Sequence, residues 1–195
     1  MKKKLTTVLA IVLVVALSVA GTYAYLTSTT RTITNTFTVG NVNIDLTETF
    51  NTDADNDGTN DCWKMQLIPG TSAMKDPTVT VKGNSEKCYL FVKFEEKNSP
   101  ATYLAYTSTL TAENGWTKLE GESNVWYRVV NKAAADTSFV LLQADVNGNM
   151  VTVKDTVTND NMADAAKAEL AYTAYAIQAA GFENNAAGAW AEVNK

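Results

Sequence analysis

Residues 67–96 read LIPGTSAMKDPTVTVKGNSEKCYLFVKFEE, and the reading of this stretch decides the fold. In its second half Cys88, Leu90, Val92 and Phe94 recur at a period of two, with Lys87, Tyr89, Phe91, Lys93 and Glu95 between them. Alternation of that kind sends the two sets to opposite faces, so it predicts a sandwich strand with one core face. The TVTV run before it alternates as well. Pro69-Gly70 reads as a turn and Pro77 as a strand entry, because proline has no N–H to give to a central ladder.

Outward from this stretch the β pattern continues in both directions. Upstream, Ile33, Phe37 and Val39 share a face interrupted by Asn35. After a turn at Gly40-Asn41, Val42, Ile44 and Leu46 alternate with Asn43, Asp45 and Thr47, and the two runs fit a hairpin. Downstream, residues 103–106, 125–130, 138–143 and 150–157 are rich in β-branched and aromatic side chains and are separated by turn signals such as Asn147-Gly148-Asn149. Many short strands with turn-rich joins predict an all-β, antiparallel sandwich with a few short helices.

Three stretches carry a family resemblance. The IPG turn and KDP step leading into TVTV, the N-terminal GTYAYLTS with NTFTVGNVNIDL, and the late AYAIQAAGF followed by AAGAW resemble, in that order, the TasA and camelysin group of Gram-positive biofilm-matrix proteins. The resemblance implies a jelly roll. The alanine-rich segment 161–181 reads as a helix on propensity alone, with Asp160 as its N-cap. Yet Leu170, Tyr172, Ala174 and Ala176 alternate with Ala171, Thr173, Tyr175 and Ile177, and the matching family segment is a strand. The expectation is therefore a short helix over 162–168, a strand over 169–179 and a terminal helix over Ala186–Val193.

Composition bounds the function. The chain has 195 residues, 46% of them apolar and 19% charged, which suits one globular domain. A net charge of −5 repels phosphate backbones, so nucleic acid is not an expected partner. There is no histidine at all. A zinc peptidase of the H-E-x-x-H kind, a Ser-His-Asp triad and a Cys-His dyad all need an imidazole, so none of them fits this chain. The camelysin likeness brings a peptidase label with it, and the sequence offers that label no zinc-peptidase site. Carboxylate-only chemistry such as glycoside hydrolysis stays formally open among 21 acidic residues.

Residues 1–24 read as a signal peptide: basic Lys2, Lys3 and Lys4, an apolar run over 8–20, and a small-residue exit ending near Ala24. As a helix the apolar run covers about 20 Å of a roughly 30 Å hydrocarbon core. A retained anchor is the competing reading. The resemblance implies processing by a SipW-type signal peptidase and hence a secreted protein of the matrix or cell surface. It also implies that residues 25–37, with Tyr25, Leu26, Ile33 and Phe37, form a detachable donor strand completing the sheet of the next subunit, ahead of a domain over 38–195. The plainer reading keeps this segment in its own sandwich.

The loop NTDADNDGTNDC stands apart from its surroundings. Asp53, Asp55 and Asp57 alternate before Gly58, and Asp61 follows, so several hard oxygens converge around a tight turn as Ca2+ requires. The twelfth position, where an EF-hand has its bidentate glutamate, is Lys64. The alternative is a solvated hairpin tip. Cys62 and Cys88 are the only cysteines. Pairing them would stabilise an exported protein by roughly 3.5 kcal/mol, although Cys88 equally fits a buried thiol. Trp116 and Trp126 read either as a sugar-stacking platform or as packing. The function these features point to is a non-enzymatic, fibre-forming matrix protein that associates with itself. A monomeric adhesin or binding module is the alternative, and a camelysin-like peptidase the third.

Overall fold

A computed structural model of the protein describes residues 41–49 and 64–195, all within the unit that runs from Val39 to Lys195. In chain order the elements are β1 (Ile44–Thr47), β2 (Ser72–Ala73), β3 (Thr78–Val81), β4 (Cys88–Lys97), α1 (Pro100–Tyr103), β5 (Leu104–Tyr106), a 3-10 turn (Ala112–Asn114), β6 (Thr117–Lys118), β7 (Val125–Val130), β8 (Thr137–Val140), β9 (Val151–Val153), α2 (Met162–Ala165), β10 (Glu169–Gln178) and α3 (Ala186–Val193). The fold is all-β, with a few short helices.

Every strand pairing among the described residues is antiparallel, in sheets ordered β1-β3-β8, β10-β4-β7-β6 and β2-β9-β5. The first and third run into one another through the backbone: Ser108 bridges Leu142, and Thr109 N–H donates to the Leu141 carbonyl at 3.0 Å. Pro77 is buried at the entry to β3, where its carbonyl accepts from Leu141 N–H at 2.8 Å and its missing N–H costs nothing.

The main core lies between the first and second sheets. Val79 and Val81 of β3 pack there with Cys88, Leu90, Val92 and Phe94 of β4 and Leu141 beyond β8. The other face of β4 departs from expectation. Tyr89 and Phe91 are buried too, under Leu119, Val125 and the α3 residues Ala189 and Trp190. The period-two pattern gave β4 one core face, and it has two because the terminal helix returns to cover the second. A third, small cluster of Val153, Val157 and Ala165 lies beside the β2-β9-β5 sheet, with Met65 and Leu67 against it.

The β3–β4 turn, KGNSEK, ties three segments together. Asn84 takes the left-handed conformation at φ 64°, and its N–H donates to the Ala133 carbonyl at 2.7 Å. A Cβ on Gly83 would lie 2.4 Å from the Ala134 carbonyl oxygen, so only glycine fits. Ser85 is buried and its hydroxyl accepts from Asn43 N–H at 3.1 Å. Some elements are shorter than expected: α2 stops at Ala165, and β9 stops at Val153 because Val157 N–H turns back to the Lys154 carbonyl.

Candidate functional site

β1 and β10 face each other along one side of the sandwich. β10 pairs residue for residue with β4 from Glu169↔Lys97 to Gln178↔Cys88, so it runs ten residues without a bulge. Beyond it, Ala179 N–H donates to the Lys87 carbonyl at 2.8 Å, which fixes the phase of the ladder. Odd-numbered residues therefore bond to β4. Leu170, Tyr172, Ala174, Ala176 and Gln178 turn their N–H and C=O groups to the outer edge, where no strand among the described residues pairs with them.

The side chains of Leu170, Tyr172, Ala174 and Ala176 border the main core and remain half-buried. Ala174 and Ala176 contribute only methyl groups to that margin. Tyr172 stacks on Phe94 with ring centroids 4.7 Å apart and planes within 8°. Its hydroxyl is buried without a hydrogen-bond partner among the described residues, and burial pushes its titration far upward.

The KDP step closes one end of this side. Lys75 pairs with Glu48 at 2.8 Å, both largely buried at 15% and 17% exposure, and its ammonium lies 6.0 Å from the Tyr172 ring centre. Asp76 accepts from Thr49 N–H at 2.8 Å and from the Thr49 hydroxyl. KDP thus fastens the end of β1 and the residues that follow it, Glu48 and Thr49. Asp53, Asp55, Asp57, Asp61 and Cys62 lie outside the described residues, as do Tyr25, Leu26, Ile33 and Phe37. Among the described residues no group of three metal-ligating side chains comes together.

Cys88 is a fully buried thiol on the core face of β4, and burial pushes its pKa up to about 11. At that value the thiol is un-ionised near neutral pH. Trp116 is 3% exposed and belongs to the core, while Trp126 is half-buried at its margin. Trp116 therefore offers no open stacking face.

Charge responds to pH at the surface carboxylates. Asp136 is held below its ordinary range by the Gly83 N–H, Asp145 by the Asn149 and Asn147 N–H groups, and Asp164 by Lys167. A depressed carboxylate stabilises the fold above its unfolded pKa, and that contribution is lost as pH falls through the folded value. No histidine titrates in between. The urea midpoint is expected to stay level from about pH 6 to pH 8 and to fall below about pH 4. A marked change in midpoint within the neutral range would contradict this assignment.

No known family model, no curated protein and no solved structure matches this chain.

Proposed function

We propose that the protein is a secreted, non-enzymatic structural subunit that builds extracellular fibres, each subunit receiving a strand from the next along β10. The observation that carries this reading is the outer edge of β10. Natural edge strands are kept short, charged, bulged or interrupted by proline. β10 is ten residues long, and ELAYTAYAIQ has one charge, at its first residue, and no proline or glycine. An edge of that kind is a template for main-chain pairing.

The donor in this proposal is residues 25–37, whose apolar Tyr25, Leu26, Ile33 and Phe37 would fill the margin left by Ala174 and Ala176. The TasA-like resemblance supports the same assembly and adds the jelly roll, biofilm matrix and SipW-type signal peptidase to the proposal. Calcium in the aspartate loop would be structural. The chain beginning at Tyr25 is expected to form regular fibres by electron microscopy, and the chain beginning at Thr38 to remain monomeric in sedimentation, each with and without calcium. A persistent monomer of the longer chain would sink the proposal in favour of a monomeric surface adhesin.

A further inference from the structure

Arg128 occupies an unusual position on the opposite side of the sandwich. It lies across from Leu90 in the β4–β7 register, so its side chain leaves the inner face of the sheet as those of Trp126 and Val130 do. It runs outward to where Phe139 and Trp116 close the core. Its guanidinium carbon sits 3.9 Å from the Phe139 ring centre and 5.2 Å from that of Trp116, and the two rings meet edge to face at 5.9 Å. Burial lowers its pKa from the ordinary arginine value.

Among the described residues the charge has no acidic counterpart. Seven of the described lysines contact a carboxylate, and Arg128 contacts none. Its one hydrogen bond among the described residues is a long one, from Nη1 to the Asn114 carbonyl at 3.3 Å. A guanidinium has five N–H donors in a planar fork. The guanidinium packs directly over Gly115, whose φ is +78° and where a Cβ would lie 3.2 Å from Nη2, so glycine is what admits it there. Next along the same face, Lys118 places its ammonium 5.5 Å from the Trp126 ring centre and is likewise without an acidic partner among the described residues.

We propose that Arg128 and Lys118 form a carboxylate-binding site for an acidic, uronate-bearing polysaccharide. Arg128 is oriented by the rings of Phe139 and Trp116, and Lys118 by that of Trp126, so little of their freedom is left to lose on binding. The arginine fork matches a planar carboxylate bidentately. A uronate carboxyl is fixed on its sugar ring, whereas an acidic peptide would have to order a flexible side chain at each contact. The site is local: the chain as a whole carries −5 and repels polyanions, so binding depends on these two groups and weakens with salt. It is independent of fibre formation.

The test uses the chain beginning at Tyr25, with polygalacturonate as probe in low salt, neutral dextran as the uncharged control and poly-glutamate as competitor. Arg128→Gln is expected to weaken binding about tenfold or more, and Arg128→Lys to recover part of it by restoring charge without the fork. Lys118→Gln should weaken binding severalfold. Because Lys118 is exposed, that variant carries the test should Arg128→Gln fail to fold by circular dichroism. Binding of polygalacturonate but not dextran, reduced in these variants and resistant to poly-glutamate, supports the site. Absence of binding, unchanged affinity in the folded variants, or equal competition by poly-glutamate overturns it.

Discussion

An Ala174→Pro variant is expected to fold and yet fail to assemble, whereas Thr173→Pro, one residue away, should damage the fold itself. The phase of the β10 ladder separates them. Ala174 turns its N–H to the outer edge, so proline removes a donor that no described residue uses and leaves the β4 ladder whole. Thr173 is already extended, as a residue before proline must be. At Thr173 the lost N–H is the one directed at Lys93, and an orphaned carbonyl in a paired strand costs about 1–3 kcal/mol. Sedimentation should show Ala174→Pro as a monomer at concentrations where the parent chain forms fibres. Urea melts should show Thr173→Pro as the less stable of the two. Fibres of ordinary appearance from Ala174→Pro would remove β10 as the acceptor edge, while leaving open strand addition elsewhere.

The parts of the fold that were readable from sequence are those set by local period. Cys88, Leu90, Val92 and Phe94 announce a core face, and Ala186–Val193 is the helix expected there. The alanine-rich segment shows where propensity gives way: it forms β10 because a sheet slot beside β4 stabilises it more than an isolated helix would be stabilised. The burial of Tyr89 and Phe91 was not readable, since their cover arrives from Trp190 at the far end of the chain. Of KDP, only Pro77 was read, as a strand entry. The KDP clamp on Glu48 and Thr49 joins residues 27 positions apart and leaves no periodic trace. Arg128 was hidden inside VWYRVV, where it reads as a solvent-facing member of an alternating strand. The one available signal was Asn114-Gly115-Trp116, a turn that delivers an aromatic ring and leaves out a side chain beside it.

Trp190 is the side chain whose loss should matter most to stability. It is 6% exposed, stacks obliquely on Phe91 at 5.3 Å between ring centres, meets Tyr175 edge-on at 5.1 Å, and donates its indole N–H to Glu122 at 2.9 Å. An eight-residue helix does not persist on its own in water. The Asn185 side chain caps its first turn by accepting from Gly188 N–H at 2.8 Å, which contributes about 1 kcal/mol. Docking through Trp190 must supply the rest. Trp190→Ala is therefore expected to cost about 3–5 kcal/mol, the range for deleting a large buried aromatic, out of a total of roughly 5–15 kcal/mol. Removing the indole would also uncover Phe91 and release Tyr175, so the damage reaches β4 and β10 together. Urea unfolding should show the lowered midpoint, and limited proteolysis should cut near residues 183–195 before any other site. A loss below about 1 kcal/mol would mean that β4 keeps its second buried face without the helix, and that the strand pattern alone was the better guide.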